Sequence, residues 1–172
     1  MPGLPNKTLT IVSLKIECLK SNTVAIQQIV NTEKPDILCL QETCLYSFQK
    51  QSADVLEDYD FASKHHDDRD PVQMANLGRG QGGVTTYWKK SLVPQPKPQL
   101  DGSERTLVII FDDIVISNTY MPCRGSHSTQ EFQEEVDQLD EICKKFVNRP
   151  KIILGDLNVD IPLVEYSTSN IS

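Results

Sequence analysis

The chain has 172 residues, a net charge of −7 and an apolar fraction of 38%, the proportions of one globular domain with a sizeable core. That charge excludes a protein that grips nucleic acid mainly through a broad basic face, and no apolar run reaches the length of a membrane span. The five cysteines, Cys18, Cys39, Cys44, Cys123 and Cys143, are odd in number and contain no CxxC pair, which argues against a disulfide framework and a zinc site.

Residues 1–7 lack the apolar core of a secretory signal, so the expectation is an intracellular protein, nuclear or cytoplasmic, with reduced cysteines. Residues 8–18 (TLTIVSLKIEC) alternate as a strand, with Leu9, Ile11 and Ser13 on one face and Thr10, Val12 and Leu14 on the other. Ser21 and Asn22 are helix-capping types, and 24–30 reads as a helix burying Ile26, Ile29 and Val30, closed by Pro35. Residues 36–40 form a second, buried strand that runs into Gln41-Glu42-Thr43. Strand, helix, strand in this order predicts a parallel crossover.

A short helix is expected over 52–58 and a strand over 59–63, followed by a polar stretch in which His65 and His66 read as surface residues. The glycines of 78–83 form a loop that feeds a strand over 84–88. Pro94, Pro96 and Pro98 confine the next segment to an edge strand or a loop. Residues 107–111 and 114–118 flank Asp112-Asp113 as a hairpin. Ser128-Thr129-Gln130-Glu131 is a capping box. The helix it opens carries Phe132, Val136, Leu139, Cys143 and Phe146 on one face, and Cys39 and Cys143 both read as core residues.

Residues 151–158 (KIILGDLN) then give an apolar run of the kind covered on both faces, a glycine exit, and Asp156 and Asn158 at the strand's C-terminal end. Open α/β sheets place ligands at such ends, although Gly, Asp and Asn are also ordinary turn residues. Residues 162–172 lose pattern and, with the first seven, are expected to be flexible. The whole, 1–172, reads as a single domain: a layered α/β sandwich of two packed sheets flanked by helices.

Glu42 and Asp156 each close a buried strand. Two acids so placed can converge on a hard cation such as Mg²⁺, whereas each alone reads as a solvated strand-end acid. Tyr120 ends another strand, where a tyrosine either meets a phosphate or packs at a sheet edge. Arg124, just beyond, is of the right type for phosphate, though exposed arginines are seldom ligands.

Four segments in order, Pro35-Asp36-Ile37-Leu38-Cys39-Leu40-Gln41-Glu42-Thr43, Gly82-Gly83-Val84, Asn118-Thr119-Tyr120-Met121-Pro122 and Gly155-Asp156-Leu157-Asn158, resemble the endonuclease/exonuclease/phosphatase superfamily. Residues 82–89 (GGVTTYWK) and the Gln41-Glu42-Thr43 ending are most similar to the apurinic-type endonuclease domain of non-LTR (LINE-like) retrotransposons. The resemblance spans about residues 8–161.

It implies a Mg²⁺- or Mn²⁺-dependent phosphodiester hydrolase acting on DNA, in which water attacks phosphorus in line. Glu42 would bind the metal, Tyr120 would contact the scissile phosphate, Asp156 would orient or deprotonate the water, and Asn158 would steady the phosphate. Two departures stand out. Lys15 falls where the family carries an asparagine, and its ammonium cannot accept a hydrogen bond and opposes a metal; Glu17, two residues on, is the candidate second metal ligand. The family's terminal Ser-Asp-His segment has no counterpart here, so the domain is expected to be truncated, with one sheet incomplete and open to self-association. Impaired turnover follows. The alternatives are a non-catalytic binding module and a phosphatase or phosphodiesterase of the same superfamily acting on a small molecule or lipid.

Overall fold

The computed structural model describes residues 8–68, 80–123 and 129–159. Arg124, the capping-box Ser128 and the two expected flexible ends lie outside the described residues.

Two four-stranded sheets pack face to face. The first is ordered β1 (Ile11–Lys15), β2 (Ile37–Gln41), β4 (Val84–Lys89), β3 (Tyr59–Lys64), and the second β5 (Lys97–Pro98), β6 (Thr106–Phe111), β7 (Ile114–Tyr120), β8 (Lys151–Asp156). Helix α1 (Thr23–Glu33) carries the crossover between β1 and β2, which pair in parallel as expected. Helix α2 (Thr129–Lys145) carries a second crossover, between the parallel pair β7 and β8. The hairpin about Asp112-Asp113 is β6–β7, and the proline-rich segment supplies the two-residue edge strand β5. Among the described residues no helix is long and apolar enough to cross a membrane.

The two-residue period of a strand divides the side chains into layers. Leu38 and Leu40 of β2 face α1 and join Ile16, Leu19, Ile26, Leu45 and Tyr87. Ile37 and Cys39 point the other way, into the space between the sheets, with Trp88, Ile109, Phe111 and Ile116. Burial pushes the Cys39 thiol up to about 12, so it is an inert core group. Val108 and Val115 meet Ile142 of α2 on the far side of the second sheet.

Several boundaries differ from the sequence reading. β1 is shorter than 8–18, because the chain turns away after Lys15 and both Glu17 and Cys18 take positive φ (49° and 107°). The short helix expected at 52–58 lies upstream, as a 3-10 helix over Ser47–Ala53. In α2 the buried stripe is rotated by about one residue: Val136 is exposed, whereas Glu135 and Ile142 are buried. The rotation is sustained by a polar contact, since Ser103 Oγ donates to the Glu135 carboxylate at 2.6 Å.

β8 is not covered on both faces. Among the described residues it has β7 on one side and stands at the end of its sheet, and Ile152 and Ile153 are 36% and 41% exposed. His65 is not a surface residue either; it is 3% exposed. The turn that follows it is held inward by Asp67, whose carboxylate accepts from the Ser47 amide (2.9 Å) and hydroxyl (2.8 Å).

Candidate active site at the seam between the sheets

The layer between the sheets changes character along its length. Its lower part is the apolar cluster around Ile37, Trp88 and Ile116. One period further along the same strands stand Ser13, Gln41, Thr86 and Asn118, which join the sheets by hydrogen bonds. Asn118 of β7 is fully buried. Its carbonyl accepts from Gln41 Nε2 at 2.7 Å, and its amide group donates to the carbonyls of Leu40 and Thr85 and to Thr86 Oγ1 at 3.1–3.2 Å. Gln41 Nε2 also reaches Ser13 Oγ at 3.2 Å. Buried polar groups so fully paired fix the position of one sheet against the other.

Above this layer the C-terminal ends of four strands converge: Lys15 from β1, Glu42 just past β2, Tyr120 ending β7 and Asp156 ending β8. Tyr120 and Asp156 are partners in the parallel ladder, as are Lys15 and Gln41. Strict alternation sends Glu42 toward α1. A left-handed backbone at this residue, φ 56°, breaks the alternation and brings its carboxylate back to the seam. A non-glycine residue held there is strained, a cost found where a side chain must be aimed.

The Tyr120 hydroxyl donates to Glu42 Oε1, across 78 residues of sequence. Burial, the bond to Glu42 and that carboxylate's charge push the phenol's pKa above its ordinary value, so Tyr120 remains a neutral donor. Lys15 Nζ lies 3.0 Å from Glu42 Oε1 and 3.1 Å from Asp156 Oδ2. Burial pulls the lysine pKa down, but the hydrogen bonds and charges of Glu42 and Asp156 outweigh it and leave it raised. Asn158 continues the cluster: its amide N–H donates to Asp156 Oδ1 at 3.1 Å, and its side chain donates to the Met121 carbonyl at 2.7 Å. Its φ of 48° is one that asparagine tolerates.

Of the residues singled out in the sequence, Glu42, Tyr120, Asp156 and Asn158 are therefore drawn together. Glu17 is exposed, beyond the turn that ends β1, and makes no contact with the cluster that would place it beside Glu42. Arg124 lies outside the described residues. Two participants went unnoticed. Arg105 is 8% exposed and sets its guanidinium 5.8 Å from the centre of the Tyr120 ring, with Lys15 at 5.6 Å. Only its position fifteen residues before Tyr120, across a hairpin, marks it. Gln41 reads in the sequence as part of a strand ending, and its hydrogen bond to Asn118 needs the second sheet to be visible.

The residues present do not fit a divalent cation with Lys15 where it is. Its ammonium already bridges the two carboxylates that would face the ion. Among the described residues no three or more His, Cys, Asp or Glu side chains cluster as a metal site.

The model of the endonuclease/exonuclease/phosphatase family matches residues 16–170. The chain belongs to the endonuclease/exonuclease/phosphatase family. Within this family it is 24% identical over 166 residues to a DNA-(apurinic or apyrimidinic site) endonuclease of Dictyostelium discoideum, covering 92% of this chain and 44% of that one. The chain thus spans less than half the length of that relative. An AP endonuclease from Archaeoglobus fulgidus shares the fold at a TM-score of 0.64 and 20% identity, over 88% of this chain and 58% of its own. The 3′ phosphatase NExo from Neisseria, solved with a product DNA hairpin, matches at 0.64 and 16%, with the same coverage. These family folds are the α/β sandwich that the alternation of strands and helices led us to expect.

Proposed function

We propose that this chain is a DNA-directed phosphodiesterase domain of the nuclease type, similar to the apurinic endonuclease domain of LINE-like retrotransposons, with impaired turnover. The observation that carries this is the gathering of Glu42, Tyr120, Asp156 and Asn158, from distant segments, at one seam. In this reading water attacks phosphorus, one P–O bond breaks, and an alcohol and a phosphate monoester leave. Tyr120 donates to the scissile phosphate, Asn158 steadies it and Asp156 orients the water. The superfamily is generally dependent on divalent metals, and Mg²⁺ or Mn²⁺ would approach through Glu42, where Lys15 now stands. The impairment rests on that lysine: its ammonium is engaged with both carboxylates and offsets part of their charge before any substrate arrives.

DNA-acting relatives support a DNA substrate and, with it, an intracellular setting. The test is nicking of supercoiled and abasic-site DNA with Mg²⁺ or Mn²⁺, against Asp156→Ala. Slow nicking that Asp156→Ala abolishes supports the reading. Fast nicking lost in Asp156→Ala overturns the impairment, and nicking that survives the substitution overturns the site.

Lys15 also favours a second reading, a non-catalytic DNA-binding module. Anisotropy with a labelled duplex separates the two, since the module binds without nicking at any metal concentration. The open edge of β8, with Ile152 and Ile153 exposed, supports pairing of two copies along it. A sedimentation coefficient that rises with concentration and ceases to do so in Ile153→Lys is expected; one species at all concentrations removes the idea.

A further inference from the structure

The Lys15 ammonium is held between carboxylates that come from different sheets. Glu42 follows directly on the strand beside it, and Asp156 ends a strand of the opposite sheet. The distances of 3.0 Å and 3.1 Å leave it bridging both, with Tyr120 fixing the same Glu42 oxygen. Two carboxylates and a phenol that face one point form a seat for a hard cation. Here the cation is part of the chain.

We propose that Lys15 is a tethered counter-cation that holds the seat between Glu42 and Asp156 and keeps divalent metals out of it. This rests on the reading of that site as a nuclease centre. Three features carry it. The ammonium contacts both carboxylates rather than one. It is anchored by β1 pairing, where Lys15 lies opposite Gln41, so it is delivered by the fold and not by a mobile arm. A divalent ion placed between the same carboxylates meets a positive charge at contact distance, well inside the screening length of physiological salt. An ion arriving from solution must therefore displace Lys15 and break both ion pairs. Removing the ammonium while leaving Glu42 and Asp156 in place opens the seat.

The experiment is Mn²⁺ titration followed by the electron paramagnetic resonance of free Mn²⁺, on the wild-type chain and Lys15→Asn. The expected result is a dissociation constant lowered by roughly tenfold or more in the variant, reversed when Glu42→Gln is added. Lys15→Met, which keeps the length and removes the charge, guards against a folding defect in Lys15→Asn; Trp88 fluorescence reports the fold of both. Wild-type Mn²⁺ affinity equal to that of the variants, or variants that bind no more tightly than wild type, overturns the proposal. The readout also separates it from the nuclease reading. A variant that gains Mn²⁺ but nicks no DNA sustains the tethered cation and sinks the activity. A wild type that nicks while the variants gain no Mn²⁺ does the reverse.

Discussion

Replacing Asn118 by alanine removes the strongest polar tie between the two sheets. Its carbonyl accepts from Gln41 at 2.7 Å, and its amide serves Leu40 O, Thr85 O and Thr86 Oγ1 at 3.1–3.2 Å, all without solvent. Leaving a buried polar partner unpaired costs about 1–3 kcal/mol. Gln41 Nε2 retains Ser13 Oγ and the Cys39 carbonyl, both at 3.2 Å, so its loss falls at the low end of that range. The Leu40 and Thr85 carbonyls face each other on paired interior strands and keep their ladder donors, so the total is roughly 2 kcal/mol, still a noticeable part of a typical domain's stability. Urea denaturation followed by Trp88, the single tryptophan and 5% exposed, measures it. Asn118→Asp separates hydrogen bonding from cavity formation. It preserves the volume but turns a carboxylate toward the Leu40 and Thr85 carbonyls, and should cost at least as much near neutral pH. A loss below about 1 kcal/mol in Asn118→Ala, or a well-tolerated Asn118→Asp, refutes the view that these bonds lock the sheets.

Gly155→Ala should prevent folding or cost more than about 4 kcal/mol, because an added Cβ would stand 1.9 Å from the Thr119 carbonyl at a φ of 130°; soluble expression and circular dichroism check it. Tyr120→Phe should cost only about 1 kcal/mol in stability, since Glu42 retains Lys15, yet should abolish whatever nicking the wild type shows. Burial lowers the His65 pKa from the ordinary 6.5, so the folded chain favours the neutral ring. That contribution is complete above about pH 6.5 and is lost as pH falls through the lowered value. Urea midpoints measured down to about pH 5 should fall, and should fall less in His65→Gln. Tyr120 titrates in the opposite sense: its raised pKa stabilises the fold fully below about 10 and the gain disappears as pH rises through the folded value. An alkaline titration should therefore show a decline that Tyr120→Phe reduces.

Much of this fold was legible because its layers follow simple periods. The apolar runs of β2 and β7, the described part of the glycine loop before β4 (residues 80–83) and the hairpin at Asp112-Asp113 all appear where strand and turn chemistry put them. The failures have a common cause: each depended on a neighbour that sequence spacing does not name. The pattern of 151–154 reads as doubly covered because isoleucine and leucine are apolar, but coverage is decided by place in the sheet, and β8 is terminal. The stripe of α2 shifted because Ser103 offered Glu135 a buried partner. His65 was pulled inward by its proximity to Asp67 and Ser47. In the candidate site, strand-end acids were visible as residue types, and the opposition of Lys15 to a metal followed from its charge. That the ammonium spans both acids required the two sheets to be superposed.

The Lys15 bridge alters when the charge of the seam is offset. Where two facing carboxylates wait for an ion, the halves of a sandwich repel at that end until the ion loads, and cohesion depends on metal supply. Here the compensating charge is synthesised with the chain and arrives as β1 and β8 assemble. Chelators should leave the fold untouched, because the offsetting charge is carried by the chain itself. A sandwich carrying this lysine can hold its seam together with no ion bound there.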